Sequence, residues 1–220
     1  MTDEVQIEVE DYRLFLDLSS QCSGYVVARI KKGGSQQMKD STCEIVRAGA
    51  IWYPASWENV QKYAYMYRLI TEDFYVTSAI SDIVYERYSF SMNQRSGSLV
   101  VPEMIGAIKA ATHDVAGLPL GIEDIPPQTW RSQIGLKADK DPKTGKRDFK
   151  TPCIAHFDKM FDGKIPETLI SNVTGKERKT PNDLYDALGV CVGWHKKMGV
   201  NNFTLGDITF NCQVSDVMGL

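Results

Sequence analysis

Four carboxylates stand in settings where an acid is costly unless it has work to do. Asp17 interrupts the apolar run Leu14-Phe15-Leu16-Asp17-Leu18, and Ser19, Ser20 and Gly24 follow. Glu86 closes a similar run, Ile83-Val84-Tyr85-Glu86. Asp183 and Asp186 are three apart, ahead of Ala187, Leu188 and Val190, so helical spacing puts them on one face. An isolated carboxylate among apolar side chains is expensive to bury unless it is paired or bound to metal. Several converging on one spot repel one another, and hard divalent cations with oxygen ligands remove that repulsion. Two such ions about 4 Å apart can activate a water and stabilise the leaving oxygen of a phosphodiester. Each acid alone has a plainer explanation: a solvent-facing strand position for Glu86, a helix-dipole partner for Asp183. Asp186 lies deeper in the helical pattern, and the joint pattern carries the chemical reading.

The elements that must hold these acids are legible in outline. Tyr12 to Ser19, Tyr25 to Lys32 and Glu44 to Tyr53 are strand-like runs with short connections, which predicts an antiparallel meander. From Ser56, a candidate cap, Val60, Tyr63, Ala64 and Tyr67 recur at helical spacing. Ile80 to Tyr88 is a fourth strand carrying Glu86, and Ser98 to Ala116 is a helix rich in small residues (Gly106, Ala107, Ala110). A short fifth strand precedes Pro126-Pro127, then a short helix runs from Gln128 to Leu136. Asp139 to Asp148 is expected as a loop, Thr151 to Phe161 as a helix, and Val173 to Thr180 as a polar loop. A capped helix then starts at Thr180-Pro181-Asn182-Asp183 and leads to Met198. Strands first, then strands alternating with helices, is the order of a mixed α/β sheet. One domain over 1–220 is expected, with 1–10 and 200–220 as peripheral extensions.

Composition narrows the classes. Hydrophobic residues make up 43% and charged residues 24% of 220, which is globular rather than disordered or fibrous. No run approaches the ~20 apolar residues of a membrane helix, and the acidic start lacks a signal-peptide pattern. A cytoplasmic protein with no membrane partner is expected. Five scattered cysteines without a C-x-x-C pair, and three histidines far apart, argue for free thiols and against a histidine metal site. The net charge of −3 does not advertise a nucleic-acid binder. Local charge does: Lys137, Lys140, Lys143, Lys146, Arg147 and Lys150 crowd one segment, and Lys176, Arg178 and Lys179 another.

The order Asp17, Glu86, then Asp183-x-x-Asp186-Ala187-Leu188 resembles the RuvC-type Holliday junction resolvases of the ribonuclease H-like, retroviral-integrase superfamily. Pro126-Pro127-Gln128-Thr129-Trp130-Arg131, Gly135 and Lys150 resemble that family's stretch of basic residues near the scissile phosphate, in wording close to its bacteriophage branch. The resemblance implies an α/β, ribonuclease H-like five-stranded mixed sheet flanked by helices, its first three strands antiparallel. It implies a metal-dependent endonuclease for four-way and other branched DNA, acting in a phage-infected bacterium. Asp17, Glu86, Asp183 and Asp186 would hold two Mg²⁺ or Mn²⁺ ions, with Arg131 and Lys150 meeting charge on the phosphate. Trp130, Arg131, Lys137, Lys146, Arg147 and Lys150 would contact DNA, and Tyr88, Phe90 and Trp130 are the aromatics placed to stack on unpaired bases. A C2 homodimer, with helix 98–116 at the interface, follows from a substrate with two equivalent strands. The same acids would serve a nuclease for flaps, forks or single strands, or survive in a branched-DNA-binding protein without catalysis. Gly33-Gly34 is too little for the phosphate loops of an actin-like kinase.

Overall fold

The computed structural model describes residues 11–33, 38–88, 99–116, 121–140, 145, 147–171 and 175–214. Three strands open the chain: β1 (Tyr12–Asp17), β2 (Cys22–Lys31) and β3 (Thr42–Trp52). They pair in antiparallel fashion, β1 on β2 and β2 on β3. A first helix, α1 (Asn59–Arg68), continues through a wider π-type turn at Leu69–Phe74 into α2 (Tyr75–Ser78). Ser56 is not its cap. The start is tied instead by Glu58, whose backbone N–H donates to Gln61 Oε1 at 2.8 Å.

β4 (Ile80–Glu86) returns beside β1 and parallel to it, and β5 (Gly121–Ile125) lies parallel to β4 after the long helix α3 (Val100–Ala116). Next come α4 (Pro127–Gln133) and a small hairpin of β6 (Asp139–Lys140) and β7 (Arg147–Asp148). The expected loop at 139–148 is thus gathered by paired ends. After α5 (Lys150–Met160), the segment expected as polar loop closes a second hairpin, β8 (Thr168–Ile170) with β9 (Glu177–Lys179). The chain then enters α6 (Asn182–Lys197) and ends in β10 (Asn202–Val214).

The main sheet runs β10-β3-β2-β1-β4-β5. The five expected strands are all present, with the first three antiparallel. The sixth, β10, was not foreseen: it lies parallel along β3 from the Asn202–Thr42 pair to the Val214–Trp52 pair. Residues 202–214, expected to be peripheral, are part of the sheet.

Alternation along β1 decides the two faces. Leu14 and Leu16 point into a core shared with Met66, Ile70 and Phe74 and with Met104 and Ile108 of α3. Phe15 points the other way, into a core with Trp130, Phe157 and α6. α6 is buried along most of its length, from Leu184 to His195, with Asp186 the break in the run. A helix apolar on nearly every side belongs between layers. Among the described residues no helix is long and apolar enough to cross a membrane.

Candidate active site

β1 and β4 are neighbours running in the same direction, in register from Leu14–Ile83 to Leu16–Tyr85. Asp17 and Glu86 are the next residue on each strand, so the two acids end the strands side by side. Alternation sends both to the face of Phe15 and Val84, which is the face α6 covers.

The start of α6 brings the other two. Its backbone runs against β2 at Gly24, the partner of Asp17 in the β1–β2 ladder. A Cβ on Gly24 would stand 1.8 Å from the Asp183 carbonyl oxygen, so only glycine lets the helix come this close. Asp183 lies in the first turn, where the helix dipole favours a negative charge. Thr180 does not cap this helix: its hydroxyl donates to the Pro166 carbonyl 2.5 Å away.

The four carboxylates feel one another. Burial lifts Asp17 well above the ordinary carboxylate range, and Glu86, Asp186 and Asp183 add repulsion that Arg131 only partly offsets. Burial also raises Glu86, against a Trp130 hydrogen bond and the Arg131 charge. Asp186 is pushed to about 6 by burial and then by Glu86, with Arg131 and Lys150 opposing. Asp183 is raised by burial, while a backbone N–H, the Ser19 hydroxyl and Lys150 pull it back.

Two cations therefore face the acids. Arg131 lies over two rings, its guanidinium carbon 4.9 Å from the Trp130 centroid and 4.7 Å from that of Phe149. Its Nε is buried and has no hydrogen-bond partner. Lys150 is exposed at the head of α5, whose first turn is tied down by Asp148: the Lys150 N–H and the Thr151 hydroxyl each donate to that carboxylate at 2.8 Å.

No family model and no curated protein matches the sequence. Solved structures match in shape. The chain is similar to RuvC of Thermus thermophilus, with a TM-score of 0.55 and 13% identity over 86% of this chain and 96% of that one. It is similar to T. thermophilus RuvC in complex with a Holliday junction substrate at a TM-score of 0.55 and 12% identity, with the same coverage of 86% and 96%. The yeast mitochondrial Holliday junction resolvase Ydc2 matches at a TM-score of 0.55 and 13% identity, over 84% of this chain and 78% of that one. The fold is ribonuclease H-like. At this identity the likeness is one of fold.

Within the ribonuclease H-like frame, Trp130 departs from its expected role. It is 0% exposed and cannot stack on a base. Its Nε1–H donates to Glu86 Oε2 at 2.6 Å. Trp130 fills a groove on α6, its ring against Gly189 and its Cβ and backbone against Gly193, where added Cβ atoms would come within 2.4 and 2.5 Å. The tryptophan thus ties the second acid to the helix carrying the third and fourth. Two glycines four apart in an apolar helix were the signal for that groove, and it went unread.

Lys137 and Arg147 are exposed and are not among the principal charges acting on the four acids. Lys146 and Phe90 lie outside the described residues. Tyr88 is half-buried just past Glu86. Two thiols border the acids without any warning from sequence. Cys153 Sγ is 3.9 Å from Asp186 Oδ1, and the buried Cys22 feels Asp183, Asp17 and Arg178. The last of these puts the β8–β9 hairpin, with Arg178 over Trp52 at 5.3 Å, at the acid end of the sheet.

The donor set suits a hard divalent cation: carboxylate oxygens in excess of nearby positive charge. Among the described residues, no three of these acids bring their oxygens within 4.8 Å of one another, whereas Cys43, Cys191 and His195 do bring their ligand atoms that close. The scattered spacing of the cysteines and histidines had argued against any such thiol–imidazole group.

Proposed function

We propose that this chain is a divalent-metal-dependent endonuclease that cuts branched DNA, with the four-way junction as its preferred substrate. The observation that carries the reading is the convergence of Asp17, Glu86, Asp183 and Asp186 on one end of the β1–β4 pair, with Arg131 and Lys150 opposite. Asp17, Glu86, Asp183 and Asp186 would hold two Mg²⁺ or Mn²⁺ ions. When bound, these ions supply a water of lowered pKa and neutralise charge on the phosphate.

The protein's own groups do the rest. Trp130 fixes one oxygen of Glu86 through a charge-assisted hydrogen bond, leaving the other free to turn toward the site. Arg131, resting on two rings, presents a planar cation that meets charge developing on the phosphoryl oxygens at little reorganisation cost. Lys150 adds a mobile charge at the rim, and with Lys137, Arg147 and the Lys176, Arg178 and Lys179 hairpin it grips the DNA backbone without reading sequence. The bacteriophage-like wording of Thr129-Trp130-Arg131 supports action in the cytoplasm of an infected bacterium.

A single catalytic domain is part of this reading, and so is a C2 homodimer, because a four-way junction offers two equivalent strands. α3 suits the interface: a Cβ on Gly106 would meet nothing within 4 Å, and Leu99, just ahead of the helix, is 53% exposed. Light scattering at assay concentration checks the dimer, and a monomer with intact cleavage removes it.

The deciding test is cleavage of a labelled four-way junction, a flap, a fork and a plain duplex in Mg²⁺ and in Mn²⁺, with Asp17→Asn alongside. Symmetric nicking of the junction, lost in the variant, is the expected result. Equal cutting of flaps widens the substrate to branches in general. Junction binding without cleavage by the native protein makes it a branched-DNA-binding protein and overturns the catalytic reading.

A further inference from the structure

A second cluster of ligand-type side chains lies away from the carboxylates. Cys191 and His195 are one turn apart on α6, toward the end opposite Asp183 and Asp186, and Cys43 faces them from β3. All three side chains are fully buried. Cys43 Sγ is 3.4 Å from His195 Nδ1, and Cys191 Sγ is 3.7 Å from the same nitrogen. A third group also meets that nitrogen: the Cys191 carbonyl oxygen, at 2.9 Å.

The two thiols also hydrogen-bond each other, yet Nδ1 cannot serve all of its neighbours at once. The carbonyl needs an N–H at Nδ1, whereas the thiols can donate only to a lone pair there, and a neutral imidazole nitrogen has one or the other. The second ring nitrogen, Nε2, is buried with no hydrogen-bond partner. Its ring lies among Trp194, Phe15 and Phe203, with centroids 5.0, 5.1 and 6.5 Å away. Aromatic faces are electron-rich, so they tolerate an N–H better than a bare lone pair. That preference puts the hydrogen on Nε2 and leaves Nδ1 as a base, pointing its lone pair at two sulfurs and a carbonyl oxygen.

A cation at the centre satisfies all of them. In a tetrahedral zinc site with Zn–S near 2.3 Å and Zn–N near 2.0 Å, sulfur and nitrogen stand roughly 3.5 Å apart, which is the spacing seen here. Two thiolates also cancel the charge of Zn²⁺, so the filled site is neutral and suits a dry core. We infer that Cys43, Cys191 and His195 form a structural zinc site, closed by the Cys191 carbonyl, that pins β3 to the far half of α6. Its soft sulfur and nitrogen donors distinguish it from the all-oxygen set at the other end of the helix. The site is independent of whether the carboxylates catalyse anything.

The test is the metal content of the full-length protein, purified from zinc-supplemented culture and dialysed against EDTA. Elemental analysis should find a single zinc per chain in the native protein and in Asp17→Asn, and loss of that zinc in Cys43→Ser and in Cys191→Ala. Refolding the native protein with Co²⁺ should give a sulfur-to-cobalt charge-transfer band, which decides the matter even if the cysteine variants do not fold. Background zinc and no such band in the native protein would overturn the site. So would zinc that disappears in Asp17→Asn, or a non-reduced peptide map that joins Cys43 to Cys191 as a disulfide.

Discussion

Replacing Asp186 with asparagine should stabilise the metal-free protein at pH 8 while abolishing cleavage. Burial, then the charge of Glu86, lifts this carboxyl from 3.8 to about 6. At ~1.4 kcal/mol per pH unit, that displacement is worth about 3 kcal/mol. The unfolded chain releases this proton near pH 4 and the native protein near pH 6, so between those values the native state binds more protons. Stability then falls as pH rises, and above about pH 6 the whole penalty is in force. Asparagine carries no charge to desolvate. A half-buried amide without full hydrogen bonding returns part of the gain, leaving roughly 1–2 kcal/mol, or about 2–8 °C in Tm for a chain of this size. Thermal melts in EDTA from pH 5 to pH 8 read this directly: the native Tm should decline across the range and that of the variant should decline less. Adding Mg²⁺ should then raise the native Tm and leave the variant nearly unmoved. Parallel curves in EDTA, or a variant less stable at pH 8, would refute the reasoning, because the carboxylate would then not be held at a loss.

The other expectations concern the groups around the acids. Gly24→Ala puts a methyl 1.8 Å from the Asp183 carbonyl; the displaced helix should lower stability by about 1–3 kcal/mol and take cleavage with it, measured by melting and a nicking assay. Trp130→Phe keeps a ring in the Gly189–Gly193 groove but removes the donor to Glu86. A hydrogen bond to a charged group is worth ~1.5–3 kcal/mol, so the rate at neutral pH should fall about 10- to 100-fold, and the acid limb of the pH–rate profile should move to higher pH as Glu86 rises further. An unchanged profile would remove Trp130 as a positioning residue. Arg131→Lys loses the planar stack on Trp130 and Phe149 and should lower single-turnover cleavage ~10²-fold, with junction affinity little changed in a gel-shift titration. Lys150→Ala should weaken binding to all branched substrates alike and reduce the slope of log affinity against log salt by about one.

Much of this arrangement is legible in the sequence. Asp17 and Glu86 stand out because each closes a run of three apolar residues, Leu14–Leu16 and Ile83–Tyr85, and such a run is a local property. Asp183 and Asp186 followed from helical spacing, which is equally local. Period and turn residues likewise gave the three-stranded meander and the helices that follow. β10 was missed because its partner, β3, lies far back in the chain, and pairing over that distance leaves no mark in a short window. The roles of the aromatic and glycine residues were misjudged for a related reason. The sequence neighbours of Trp130 suggest a DNA contact, whereas its burial comes from a groove formed by Gly189 and Gly193 on another helix. Gly24 carries no role in the sequence pattern beyond following Asp17, and its bare Cα is the contact that admits α6. Cys43, Cys191 and His195 were dismissed on spacing, because Cys43 reaches the other two only through the sheet. By itself, then, the sequence determined which residues could do chemistry and the elements that bear them, since side-chain type and short-range period act within a few residues. The tertiary structure decided which of those groups meet, how deeply they are buried and which cations face them, because burial and close approach depend on partners the chain supplies from elsewhere.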